Sequence, residues 1–419
     1  MDEPRERAAG EGAVNPYQPP AEAPAVPGPP GGSSRPLIPI FIIVFIDVMG
    51  LTLMIPILPF YALKFGATPF QATLLLSVFA VFQLFSGPFL GAWSDRSGRK
   101  TVLLTSQAGM LASYLVLGAA QSLWMVFVGR IIAGITSGNL SVAQAYISDV
   151  TKPENRTKAF GFFGIAFGLG FILGPVVATV LTKLGSESTP FFGSAALSGL
   201  SFMATAIMLP SAKPKAGGGR QAPSFELFRR GHVRRRLFEF LLFNLSFSTF
   251  IGGFALYLNA QFGFDRTQAS LVFVYAGVVG AVVQGGLIGR LARRLGEMKL
   301  ALVGFITMAI GNAFVGWFPT WHFLLVAGAI GGFGSAVTRP ALTTLLTQSV
   351  GPDEQGKALG MSTTLASVSQ IVGPPMAGWL IEKRHLGVYG IIVAVFSLMG
   401  ALLISLPPTE AKPAPTEQT

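Results

Sequence analysis

Gly91 to Lys100 reads GAWSDRSGRK, and within it Asp95-Arg96-Ser97-Gly98-Arg99-Lys100 packs four charges between two long apolar runs. Such density cannot lie in hydrocarbon. The stretch therefore sits at a membrane surface, where Gly98 lets the chain turn tightly and the basic residues face the cytoplasm. The pattern returns as GRLARRLGEMK from Gly289 to Lys299, so that Gly91, Asp95, Arg96 and Gly98 find Gly289, Arg293, Arg294 and Gly296 at the same spacing. A surface turn written twice implies a membrane protein built from two similar halves.

Composition agrees. Of 419 residues, 51% are hydrophobic and only 12% charged, outside the range of soluble domains. The apolar runs match the roughly twenty residues a helix needs to cross the bilayer. The chain has no cysteine, which excludes disulfides and thiolate metal sites. His232, His322 and His385 fall at or near loops and form no ligand cluster. A net charge of +11 follows topology and needs no nucleic acid to explain it. No GxxxxGK[ST] run is present, so ATP does not drive this chain directly. No metal, cofactor or Ser–His–Asp constellation is expected.

The spacing predicts twelve helices: Leu37–Leu63, Gln71–Trp93, Thr101–Ala120, Leu123–Asp149, Lys158–Lys183 and Pro190–Pro210, then Leu237–Phe262, Thr267–Arg290, Lys299–Phe318, Trp321–Ser349, Lys357–Arg384 and Leu386–Leu406. Residues 1–36 read as a disordered cytoplasmic tail, a spacer or, through AEAPAVPGPPGG, a partner-binding segment. Residues 37–210 and 237–406 form the halves, 211–236 a cytoplasmic linker and 407–419 a second tail. Lys and Arg crowd the loops on the side of the Gly91–Lys100 turn, which puts both termini inside. One constant shift superposes Pro153 on Pro352, Lys158 on Lys357, Gly161 on Gly360 and Gly174-Pro175 on Gly373-Pro374. Parallel six-helix repeats of this kind belong to secondary transporters that bind substrate between their halves.

GAWSDRSGRK resembles the signature between the second and third helices of the major facilitator superfamily, and within it the drug:proton antiporters of the tetracycline-efflux type. The resemblance covers nearly all of Leu37 to Leu406. It implies an all-α membrane protein of twelve transmembrane helices in two pseudo-symmetric halves. It implies a monomer in a bacterial inner membrane, with a lipophilic or amphipathic small molecule as substrate and a proton gradient as energy source. The same scaffold also serves metabolite, sugar and lipid transport. A non-transporting sensor or scaffold would instead work through the Pro-rich tail. The family's tetracycline exporters usually carry an acidic residue in the ninth span; Lys299–Phe318 has none, which argues against tetracycline itself.

Charges inside spans are costly, on the order of 3 kcal/mol at the bilayer centre. Asp47, Arg130 and Arg339 are the three well inside. Asp47 and Arg130 lie at similar depths and are expected to meet, either as a fixed ion pair or as a proton carrier and its tuning cation. A dry surrounding and a cation act on such a carboxyl in opposite senses. The resemblance implies the second reading, for the family pairs an aspartate and a proline nine residues on, as in Asp47 and Pro56, with an arginine at the place of Arg130. Gly164, Gly168, Gly170, Gly174 and Pro175 resemble its antiporter motif in the fifth span, with Val177 and Ala178 where glycine is common; close helix packing is the plainer reading. Asp95, Arg99 and Asp149 are expected to form a charge cluster at the hinge, with Asp95 latching onto the start of the eleventh span near Gly356 and Lys357. Ser141 and Gln144 in the fourth span, Asn244 and Ser248 in the seventh, and Arg339 either line a substrate cavity, bond neighbouring helices or, for Arg339, reach the interface.

Overall fold

A computed structural model describes residues 37–151, 156–210, 225–317, 320–351 and 354–407. The expected tails at 1–36 and from 408, and linker residues 211–224, lie outside the described residues.

Every regular element among the described residues is helical. The first span is broken into α1 (Leu37–Met54) and α2 (Leu58–Lys64), bent by 42°, because Pro56 and Pro59 withhold backbone donors at the join. α3 (Pro69–Ser97) and α4 (Arg99–Gly118) follow. The fourth span, expected to be continuous, is α5 (Leu123–Thr136) and α6 (Asn139–Val150), parted at Ser137-Gly138. α7 (Arg156–Leu184) and α8 (Thr189–Met208) complete the first half. A short α9 (Phe225–Arg229) leads to α10 (Gly231–Phe262). α11 (Arg266–Val282) continues through a π-helical turn, Val283–Leu287, into α12 (Ile288–Trp317). α13 (Trp321–Gln348), α14 (Gln355–Glu382) and α15 (Leu386–Ser405) end the order. Helices thus stand at each expected span position. By length and hydropathy alone, eight stretches among the described residues can cross a membrane, or nine with the bent α1–α2 pair.

The two hinge glycines share one backbone conformation. Gly98 has φ 89° and ψ 148°, Gly296 φ 74° and ψ 160°, a region open essentially to glycine alone. Packing repeats as well. A Cβ on Gly174 of α7 would lie 2.8 Å from the Leu53 amide nitrogen at the end of α1, and one on Gly373 of α14 would lie 2.8 Å from that of Thr249 in α10. In both halves a glycine lets the fifth helix of the repeat lie against the backbone of the first.

The halves meet from mid-span to the ends remote from Gly98. Ser77 Oγ of α3 donates to the Gln370 carbonyl of α14 at 3.3 Å, and the Phe70 amide donates to Glu382 Oε2 at 3.1 Å. Arg266 at the head of α11 pairs with Glu187 at 2.6 Å, and Lys64 joins the same carboxylate at 3.2 Å. One apolar core, holding Leu53, Tyr61, Phe254, Tyr257 and Tyr389, runs through both halves. At the hinge end Gly285, Gly286, Gly356 and Gly360 have open space where a side chain would stand, and Phe85 and Phe89 are 66% and 76% exposed. The named bonds between the halves thus lie from mid-span to the remote end, and Gly285, Gly286, Gly356 and both phenylalanines of the hinge end are exposed.

The foot of α10 clamps the last helix. Arg235 donates to the carbonyls of Leu403, Leu406 and Pro407, each at 2.6 Å. Glu239, fully buried, pairs with Arg236 at 2.8 Å and Arg235 at 3.4 Å. It is a buried charge additional to the three expected. Arg230 grips Glu354 with two bonds of 2.7 and 2.9 Å and holds that carboxyl below its usual range.

Gly168 and Gly174 of the fifth span should respond oppositely to a methyl group. Gly174→Ala forces Thr52 and the α1 backbone apart and should cost about 2 kcal/mol by overpacking. Gly168, which has nothing within 4 Å, should accept alanine without loss. Thermal unfolding of the two purified variants checks this; equal midpoints would show that the α1–α7 contact is not tight.

Candidate functional site

Asp47 faces the interior of the first half. With Ile46 and Gly50 of α1, Met110 and Tyr114 of α4, Asn139 of α6, and Ser194 and Ser198 of α8, it lines a cavity of about 20 Å³ open to the centre of a water-sized sphere. That space suits one water and is far too small for a drug-sized ligand.

The carboxylate is held by neutral groups. Asn139 Nδ2 donates to Asp47 Oδ2 at 3.0 Å. Gln107 and Ser201 lie close to it but bond elsewhere: Gln107 Nε2 donates to Ser201 Oγ at 2.8 Å, and Ser201 Oγ donates to the Ile43 carbonyl at 3.5 Å. The break at Ser137-Gly138 is what makes this possible, because it puts Asn139 at the head of α6 beside α1. The other atoms of both amides, Asn139 Oδ1 and Gln107 Oε1, are buried with no partner among the described residues.

Arg130 does not meet Asp47. Among the described residues neither enters an ion pair within 4.0 Å. The guanidinium, 2% exposed, lies between the end of α1 and α3. It donates through Nε to the Leu75 carbonyl at 3.3 Å, approaches Met54 Sδ at 3.7 Å and sits 4.4 Å from the Phe79 ring centroid. Met54 is seven residues beyond Asp47 on α1, about 10 Å along the axis, so the two charges do not share the depth expected of them and do not come together. A desolvated cation–π contact of about 2 kcal/mol and a charged hydrogen bond of similar size offset the cost of burial without a carboxylate. Tyr114 lies within electrostatic range of both Asp47 and Arg130.

At the hinge, Arg99 reaches Asp95 at 2.5 Å and Asp149 at 2.9 Å, and also donates to Ser94 Oγ. Gly91 is buried and Arg96 exposed. The latch from Asp95 to the start of α14 is not made in this conformation. In the fifth span Gly170 and Gly174 pack on α1, and Thr52 Oγ1 donates to the Gly170 carbonyl at 2.7 Å; Pro175 lies inside the helix without ending it. Gly164 belongs to α7, and its surroundings lie outside the described residues.

None of Ser141, Gln144, Asn244, Ser248 and Arg339 lines the Asp47 cavity. The Asn244 amide turns back to the Phe240 carbonyl of its own helix at 2.8 Å, and Ser248 is buried. Gln144 and Arg339 are exposed. Reading the sequence missed Gln107, Tyr114, Asn139, Ser194, Ser198 and Ser201. Ser137-Gly138-Asn139, turn-forming residues inside an apolar run, were the available signal. The serines of α8 carry none, because small polar residues are common in packed membrane helices.

The sequence model of the Major Facilitator Superfamily matches residues 40–297 and 240–419. The chain is 30% identical over 360 residues to the tetracycline resistance protein, class E, of Escherichia coli, covering 82% of this chain and 87% of that protein. It is 32% identical over 354 residues to the class G protein of Vibrio anguillarum, covering 80% and 87%. Its fold is similar to that of the human organic anion transporter MFSD10 (TETRAN), with a TM-score of 0.70 and 22% identity over 90% of this chain and all of that one. A duplicated glycine hinge, repeated helix packing and matches along most of the chain lead to one assignment: this multi-pass membrane protein belongs to the major facilitator superfamily of transporters.

Proposed function

We propose that the chain is a proton-coupled secondary transporter that exports a lipophilic or amphipathic small molecule by alternating access, with Asp47 as the proton carrier. The observation that carries this reading is the neutral cradle of Asp47. Asn139 supplies an N–H donor suited to a carboxylate and keeps a buried, unpartnered oxygen suited to a carboxylic acid. A half-turn of that amide exchanges donor for acceptor, so the pocket satisfies both protonation states. A fixed cation would favour only one. Asn139 also sits beside the gap in the fourth span, so a change at the carboxyl acts directly on the angle between α5 and α6. Arg130, on α5, anchors that helix to α3 and the end of α1.

In this reading the hinge end faces the cytoplasm, the membrane is a bacterial inner membrane, and the described state receives cargo from inside. Closure of the hinge end would bring Asp95 to the start of α14, whose free amides favour a carboxylate. Resistance proteins at about 30% identity support efflux as the direction.

Asp47→Asn preserves shape and removes the titrating group. Reconstituted in proteoliposomes with an internal pH dye, it should remain folded and lose substrate-induced proton movement. Unchanged proton movement would end the assignment. Alternating access predicts a second result. Glu187→Gln with Glu382→Gln removes charge from both remote-end contacts, each worth up to about 1 kcal/mol, and should raise the population open at that end about fivefold. Spin labels on Gln121→Cys and Thr320→Cys, possible because the chain has no cysteine of its own, would report it as a growing long-distance component. An unchanged distribution would mean these carboxylates do not hold the remote end shut.

A further inference from the structure

The two hinges share a backbone and differ in charge. In the first, Arg99 is neutralised by Asp95 and Asp149. In the second, Arg293 stands at the place of Asp95, Glu297 at that of Arg99 and Gln348 at that of Asp149. Arg290, Arg293, Arg294 and Lys299 are all exposed. Among the described residues none of them makes an ion pair within 4.0 Å, with Glu297 or any other acid. Leu287, Leu295 and Met298 are exposed beside them, at 40%, 37% and 43%. Cations next to bare apolar side chains, at the level where spans enter the membrane, match the boundary between headgroups and acyl chains.

The packing of the halves fixes what each hinge meets when the hinge end closes. α3 lies against α14 and α11 against α7, as Ser77 on Gln370 and Gly277 on Phe171 mark. Closure therefore carries the hinge after α3 to the start of α14, and the hinge after α11 to the start of α7. The first encounter is attractive, for it sets Asp95 against helix amides and Lys357. The second is repulsive. It sets Arg293 and Arg294 against a helix whose first turn holds Arg156 and Lys158 and no acid, at the positive end of its dipole.

We propose that an anionic phospholipid headgroup binds Arg290, Arg293 and Arg294 and bridges this second hinge to the start of α7, so that negatively charged lipid favours closure of the hinge end. A phosphodiester supplies the charge that the first hinge carries in Asp95 and that the second lacks, and arginine is the side chain best shaped to hold it. Gly285 and Gly286 are exposed, which leaves room for a headgroup beside the hinge. Nothing here depends on the identity of the cargo or on Asp47.

The test measures the ratio of closed to open hinge ends by the distance between spin labels on Thr101→Cys and Gln348→Cys, in nanodiscs. In phosphatidylcholine mixed with phosphatidylglycerol the ratio should exceed that in phosphatidylcholine alone by about fivefold. In Arg293→Gln/Arg294→Gln most of that difference should vanish, whereas Lys183→Gln, at the far end of α7, should keep it. Inorganic phosphate added to phosphatidylcholine nanodiscs should leave the ratio where it was. A wild-type ratio equal in both lipids would mean that the chain's own acids suffice, and would overturn the proposal. So would a full lipid response in the double variant, or a response to free phosphate as large as that to lipid.

Discussion

A carboxylate inside a membrane protein that has no cation to pair with must be held by hydrogen bonds from neutral groups, and the first half of this molecule is arranged around that demand. The donor comes from Asn139 of α6, and residues of α4 and α8 close the cavity around the same side chain. The fourth span has to break for Asn139 to take part, and the two glycines of α7 hold α1 at the distance where this network fits. Replacing the cradle by an ion pair would be the simpler way to bury the charge. It would also fix the charge, since breaking a buried pair strands its partner at a cost of several kcal/mol.

Arg130 shows the complementary solution. Its charge is spread over an aromatic face, a carbonyl and a thioether, none of which titrates. The two charges near the centre of this half are thus independent, and one can change state while the other stays.

Much of the fold could be read from sequence because hydropathy, loop charge and the repeated hinge act at long range and leave large signatures. Gly98 and Gly296 were legible for a stricter reason: only glycine takes the backbone they adopt. The pairing of Asp47 with Arg130 was misread because depth was counted from expected span ends, and the guanidinium lies instead beside Met54, about two turns beyond Asp47 on α1. The break in the fourth span, which brings Asn139 to Asp47, had a cue only three residues long. The serines around Asp47 were invisible, since a serine in a membrane helix looks the same whether it faces a carboxylate or its own backbone. The expected substrate residues are spread over separate faces, and their polarity alone did not show where they point.

The clamp at the foot of α10 carries a consequence for biosynthesis. Arg235 and Glu239 are made when the second half begins to emerge, yet the carbonyls that Arg235 grips belong to Leu403, Leu406 and Pro407, which leave the ribosome after all the other spans. Until then a buried carboxylate and two arginines wait at the membrane surface with their set of partners incomplete. The second half cannot lock as it is synthesised, helix by helix. It stays adjustable through insertion of the intervening spans and is fastened by the last of them, so the order of translation is written into the order in which this half becomes rigid.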